Sequence, residues 1–295
     1  MSPWIQECRA ALVELQSPRG GWSYQPGGKA APMAEPSVLA ALGLLATDTS
    51  AGESRDRARR TARWLADLQQ RSGGVGPVVG LDRPAWPTAL AMLLWRNVGG
   101  FEQARERGAR FLLRRGGEAL ENTPRNVVGH DQSLVGWPWV EGTHSWLEPT
   151  VMAVLALGPA HREHARVREG LRVIRDRAVP GGGWNWGNST VLGRPQRPQP
   201  DTTGLALLAL ASTTRDRIVD SALGYLKKRL PGIHATRSLC WGTLALRTWR
   251  ETTSTSWLEL ACRALARPGP PRLAELLLAA GAERTLGLLG VGRAS

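Results

Sequence analysis

The sequence predicts an all-α protein folded as an α/α toroid of about six helical hairpins, with inner and outer helix rings, and three observations predict it. The first is a recurring phrase: a Gly-Gly-Trp turn, a short polar stretch, then an apolar helix opened by Pro with Ser or Thr. It is clearest at Gln16 to Trp22 followed by Glu35-Pro36-Ser37, and at Gly181 to Trp184 followed by Pro200-Asp201-Thr202. Weaker copies run from Gln69 to Val75 with Trp86-Pro87-Thr88, and from Gln132 to Trp137 with Glu148-Pro149-Thr150. Such a period means stacked copies of one supersecondary unit, each burying its apolar face against its neighbours. The second observation is that helical patterns alternate between amphipathic and apolar all round, and a helix apolar on every side has to be buried. The third is that β-branched alternation with hairpin turns occurs nowhere. Inner helices lining a lumen and outer helices facing water satisfy all three, with an open superhelix of hairpins as the architectural alternative.

The elements follow in order. Trp4, Ile5, Cys8, Ala11, Leu12 and Leu15 fall at helical spacing, so an amphipathic outer helix ends near Gln16, stopped by Pro18 and Gly20-Gly21. Pro36 sits where a helix accepts proline, in its first turn, and the run that follows is apolar on nearly all sides. Further outer helices are expected over 53–69, 101–115, 161–178, 215–230 and 256–266. Inner helices are expected over 87–96, 149–157, 201–211, 236–250 and 271–280. The inner-helix starts at Ser37, Thr88, Thr150 and Thr202 lie 51, 62 and 52 residues apart, the longer step absorbed by an insert around 116–129. The last hairpin lacks a Gly-Trp turn, and Pro268-Gly269-Pro270-Pro271 breaks the chain before it. Residues 1–295 therefore read as one domain, with 268–295 a weakly repeating cap or tail whose last residues fray or close the barrel end.

Composition narrows the partners. With 42% hydrophobic residues in 295, the chain has ample material for a core, which excludes disorder. The formal net charge of +13 is spread over segments 55–63, 105–115 and 162–177, where arginines alternate with acids. That is the pattern of a solvated basic helix surface, and its sharper reading is attraction of a diphosphate or an anionic membrane. Without a nucleic-acid motif, no nucleic-acid partner is expected. Cys8, Cys240 and Cys262 lack metal-binding spacing and read as free thiols in a reducing compartment. No leader and no apolar run of about 18 residues is present, so the expected location is cytoplasmic, with peripheral membrane contact open.

Gln16-xxx-Gly20-x-Trp22 resembles the QxxxGxW motif of the terpenoid cyclase and protein prenyltransferase superfamily, and Gln69-xxx-Gly73 and Gln132-xxx-Gly136 keep its first half. Gly182 to Asn188 with Pro200 to Leu208 resembles the squalene-cyclase-like repeat most closely, and the likeness spans about 1–250. It implies that the Gln and Trp tie hairpins together while chemistry sits at the inner-helix starts. Pro198 to Thr203 is similar to the DxDDTA acid motif of class II terpene cyclases, but Pro200 stands where the proton-donating carboxylate belongs and only Asp201 is kept. Gly193 to Thr203 is similar to the prenyltransferase stretch GRxNKxxDxC, whose Asp and Cys hold zinc with a downstream His. Here Asp201 and His234 match, Thr203 replaces the Cys, and Cys240 reads as a buried small hydrophobe.

No cofactor is therefore assigned, and zinc or magnesium is retained only as what a complete motif would have held. Asp201 is the first candidate for a charged catalytic group, followed by Glu148, Glu35 and His234; the two glutamates precede proline at equivalent repeat positions and could form an acidic ring with Asp201. His130, Asp131 and His144 lie in the insert and third Gly-Trp loop, where a His beside an Asp can be an acid/base pair. Trp86, Trp137, Trp139, Trp146 and Trp186, with His144, are the expected substrate-binding residues, since aromatic faces bind apolar chains and stabilise cations. The resemblance implies a barrel that binds an isoprenoid or similar long apolar substrate and cyclises or transfers it. The alternative is a lipid-binding or scaffold protein that kept the barrel without the chemistry.

Overall fold

Each inner helix begins near a proline or a hydroxyl residue ahead of a largely apolar run, and each outer helix carries one apolar stripe. In the computed structural model, which describes residues 1–25, 30–48, 52–119 and 128–292, these rules give thirteen α-helices among the described residues. The inner set is α2 (Ala34–Ala46), α4 (Pro87–Val98), α6 (Leu147–His161), α8 (Pro200–Leu210), α10 (Thr236–Thr248) and α12 (Pro270–Ala280). The outer set is α1 (Pro3–Leu15), α3 (Glu53–Asp67), α5 (Glu102–Arg114), α7 (Ala165–Asp176), α9 (Arg217–Arg229) and α11 (Thr255–Arg263). Each inner helix packs on the next, and α12 packs back on α2, so the inner ring closes. Outer helices seat between inner ones: α3 on α2 and α4, α7 on α6 and α8, α9 on α8 and α10, α11 on α10 and α12, and α1 on α12 and α2. The fold is an α/α toroid. One contact shows how tightly it closes: a Cβ on Gly204 of α8 would lie 2.4 Å from the Trp241 carbonyl of α10, an approach only glycine permits.

The repeated phrase is the joint between hairpins. The indole Nε1 of Trp22, Trp137 and Trp184 donates to the carbonyls of Leu12, Leu112 and Ile174 near the end of the preceding outer helix, at 2.8, 3.0 and 2.6 Å. The backbone N–H groups of Trp22, Val75, Trp137 and Trp184 donate to the hydroxyls of Ser37, Thr88, Thr150 and Thr203, at 2.8, 2.9, 2.9 and 3.0 Å. The fourth equivalent hydroxyl is thus Thr203, one residue later than the Thr202 expected from sequence, because the backbone donor has to meet the side chain one place further along the first turn of α8. Thr202 instead donates its hydroxyl to the Trp184 carbonyl at 2.8 Å. Gln16 and Gln69 donate to the Gly20 and Gly73 carbonyls at 2.9 Å each, closing the same turns. Gly73 has φ +97°, and a Cβ there would lie 2.4 Å from the Arg107 carbonyl on α5. This is why the turn is glycine.

Two local expectations are corrected and a third gains its detail. The outer helix expected over 161–178 begins later: α6 runs on to His161, and His164 is extended, its Nδ1 accepting the Arg166 N–H at 3.2 Å as the cap of α7. His161 and His164 therefore belong to the hairpin junction. A two-stranded ribbon, β1 (Thr190–Val191) against β2 (Arg194–Pro195), occupies a loop for which no strand was expected. The segment after Gly281 forms α13 (Ala282–Leu289), which lies across one end of the ring against α2, α4, α10 and α12. Arg96 and Asn97 of α4 both donate to the Leu288 carbonyl at 2.8 Å, fixing this cap. Much of the insert expected around 116–129 lies outside the described residues. Among the described residues no helix is long and apolar enough to cross a membrane.

Candidate functional site

The second residue of α2, α6 and α8 is Glu35, Glu148 and Asp201, and the second residue of α10 is Arg237. A closed ring of equivalent helices brings equivalent positions to one mouth, so these four side chains meet. Arg237 stands among the acids: its Nη1 lies 3.6 Å from Glu35, its Nε 3.5 Å from Asp201, and its Nη2 donates to Glu148. A fourth carboxylate, Glu275 of α12, approaches Nη1 at 3.9 Å. In the second repeat Trp86 occupies the acid's place, two residues before the joint hydroxyl of Thr88.

Charge and burial set the properties of this cluster. Glu275 is only 4% exposed; burial pushes its carboxyl up to about 7, against the hydrogen bond donated by Thr236 Oγ1 at 2.5 Å and the Arg237 charge. Burial also raises the Glu148 carboxyl against the pull of Arg237. For Arg237, burial works to lower the guanidinium, but the Glu148 charge and hydrogen bond, with Glu35 and Glu275, outweigh it and hold it above its ordinary value. Tyr24 donates its hydroxyl to Glu35, and burial followed by the Glu35 charge pushes the phenol up. Four carboxyl groups thus surround one guanidinium, and burial, with their crowding, makes Glu275 and Glu148 the acids that hold a proton most readily.

A cleft of about 730 Å³ opens on this cluster. Glu35, Glu275, Arg237, Arg267 and Arg272 give it its charged lining, while Leu39, Leu265, Pro271 and the Tyr24 ring give it apolar wall. His234 also lines it and is exposed. Glu148 and Asp201 do not line the cleft; they reach it through Arg237.

The tryptophans are placed elsewhere. None of Trp86, Trp137, Trp139, Trp146 and Trp186 lines the charged cleft. Trp86 and Trp139 meet edge to face at 4.7 Å and flank, with Trp137, a narrow apolar slot of about 40 Å³. Trp137 is buried and its indole N–H is committed to the joint. His144 leans on Trp146 at 4.8 Å, and Trp186 is 57% exposed. His130 and Asp131 do not pair: the His130 ring meets the Val128 carbonyl at 2.9 Å, and Asp131 accepts from Ser133. Neither do the zinc positions suit a metal, since the Thr203 hydroxyl accepts the Trp184 N–H and Asp201 faces Arg237. Cys240 is fully buried on α10.

Sequence reasoning missed Arg237 and Glu275. Arg237 carried a usable signal, since it occupies the repeat position that holds an acid in three other inner helices. Glu275 carried another: it is the lone charge inside the apolar run from Leu273 to Ala279.

The fold places the chain in a class, that of the α/α toroids, to which solved terpene cyclases and a glycoside hydrolase are similar. A variant of the type II terpene cyclase MstE from Scytonema, in complex with its substrate geranylgeranyl dihydroxybenzoate, superposes with a TM-score of 0.57 and 19% identity, covering 93% of this chain and 77% of that one. Another MstE variant, with the product merosterolic acid A, gives 0.56 and 18%, covering 93% and 78%. A family 76 glycoside hydrolase from a bovine Bacteroides thetaiotaomicron strain gives 0.62 and 12%, covering 97% and 78%. No protein-family model matches the sequence, and no curated protein matches it.

Proposed function

We propose that this protein binds an isoprenoid or similar long apolar molecule at the mouth of its barrel and acts there on a group that gains positive charge. One observation carries the reading: Glu35, Glu148, Asp201 and Glu275 converge from four inner helices on one guanidinium beneath a cleft with apolar walls. Carboxylates held in a partly desolvated site stabilise a developing cation, and a carboxyl kept protonated there can start one, the demands that isoprenoid cyclisation and prenyl transfer share. The structural likeness to a cyclase seen with an isoprenoid substrate supports the same substrate class. Here Glu35, Glu148 and Asp201 are assigned to charge stabilisation, Glu275 to holding or delivering a proton at the cleft floor, and His234 to the rim. Leu39, Leu265, Pro271 and the Tyr24 ring are assigned to the apolar part of the ligand.

The binding-only reading has its own support, because Arg237 is paired with each acid and Pro200 replaces the motif's donor. Incubating purified protein with polyprenyl alcohols, esters and diphosphates, with solvent extraction of what co-purifies, separates the two. A changed product whose formation falls at least tenfold in Asp201→Asn and Glu275→Gln supports catalysis; a co-purifying lipid without turnover supports binding only. Full turnover in both variants removes the site assignment, and neither product nor lipid removes the substrate class.

A further inference from the structure

We propose that Cys8 and Cys262 form an oxidative modification site, in which a two-electron oxidant of the peroxide class joins them as a disulfide tying the first outer helix to the last. Their Sγ atoms lie 3.6 Å apart although 254 positions separate them in sequence. Cys8 belongs to α1 and Cys262 to the last turn of α11, and both helices pack on α12. The pair therefore sits where the beginning of the chain meets its final hairpin, so a bond there would close the outer ring covalently. Cys240 is buried within the inner ring and has no such neighbour among the described residues.

Exposure assigns the order of events. Cys8 is 2% exposed, and burial followed by the nearby Cys262 pushes its thiol up, so it does not compete as the first nucleophile. Cys262 is half-buried, the more accessible of the two. Its sulfur attacks one oxygen of hydrogen peroxide; the O–O bond breaks, leaving Cys262 sulfenic acid and a hydroxide that takes the thiol's proton and departs as water. The Cys8 sulfur then attacks the Cys262 sulfur, the S–S bond forms as the S–O bond breaks, and the departing hydroxide takes the Cys8 proton as a second water. Two thiols lose two electrons and one peroxide becomes two waters. A sulfur–sulfur bond of about 2.05 Å requires the atoms to close by about 1.5 Å, which side-chain rotation in the last turn of a short helix can supply.

The bond would act on the cleft as well as the ring. Leu265, Arg267 and Gly269, which line the cleft, follow Cys262 within seven residues. Fixing Cys262 to α1 restrains that wall.

The test treats the full chain with hydrogen peroxide, blocks remaining thiols and maps peptides without reduction, for the wild type, Cys240→Ser and Cys8→Ser. The wild type and Cys240→Ser are expected to yield one intramolecular Cys8–Cys262 peptide. The melting temperature should rise by roughly 5–10 °C, reversibly with dithiothreitol. Hydrogen exchange over 263–269 should slow, and Cys8→Ser should retain a Cys262 sulfenic acid trapped by dimedone. A linkage through Cys240, an intermolecular product, or wild-type Cys262 passing to sulfinic acid beside a free Cys8 would overturn the proposal. Because the wild type alone decides the linkage, instability of a variant does not shield it.

Discussion

At the scale of single residues, Glu275 and Arg237 give opposite pH signatures. Glu275 has its folded carboxyl raised to about 7 from an ordinary 4.5, so the folded state binds the proton more tightly than the unfolded chain. Its ionisation therefore costs stability as pH rises from about 4.5, and the full cost is present above about 7. Glu275→Gln removes that cost while keeping the size and an acceptor for Thr236. Urea unfolding should show the variant more stable by about 1–3 kcal/mol at pH 8, with the difference fading to near zero at pH 4. An equal difference at both values would mean that ionisation of Glu275 is not what sets it. Arg237→Gln has the reverse sense, leaving four carboxyl groups crowded without their cation. A loss of about 2–4 kcal/mol is expected at pH 7.5, shrinking towards pH 5 as the carboxylates take up protons. A loss independent of pH would show that Arg237 matters for packing alone.

At the scale of elements, the joints carry the architecture. Gly73→Ala combines a positive φ with a Cβ driven into the Arg107 carbonyl, while Gly80→Ala has positive φ and open space around it. Thermal and urea unfolding should separate them, with a loss of about 3 kcal/mol for the first and about 1 kcal/mol for the second. Similar losses would mean that the turn yields and the approach to α5 is not needed. Thr203→Val tests the register of the fourth joint by leaving the buried Trp184 N–H without its acceptor, at a cost of about 1–3 kcal/mol. The hairpins themselves were legible in sequence, since Pro36, Pro87 and Pro200 mark inner-helix starts and the Gly-Trp turns mark the joints. The exchange of Thr202 for Thr203 was not, because both hydroxyls lie in the same first turn and only the three-dimensional path of the Trp184 backbone selects between them. The ribbon at Thr190–Val191 escaped for a similar reason, being too short to show an alternating pattern.

At the scale of the whole molecule, closure of the ring makes distant segments depend on each other. α13 seals one end of the barrel, with Leu286 and Leu289 buried against helices from both halves of the chain. Leu286→Ala should therefore cost about 2–4 kcal/mol in a single cooperative transition. A small loss confined to the C-terminal segment, seen by hydrogen exchange, would show that the cap frays independently. Closure also explains the candidate site. Glu35, Glu148, Asp201 and Arg237 span more than 200 positions of sequence, yet each is the second residue of its inner helix, so a ring of equivalent helices carries them to one mouth.

The sequence by itself determined the all-α hairpin repeat, the alternation of inner and outer helices and the two repeat-position glutamates, because periodicity, proline placement and glycine turns are local signals. The tertiary structure alone decided that these acids surround Arg237, that Glu275 joins them from one turn deeper, and that the tryptophans stand apart from the charged cleft. Side-chain direction across a closed ring depends on how six helices rotate against each other, and that rotation is set by packing between segments far apart in the chain.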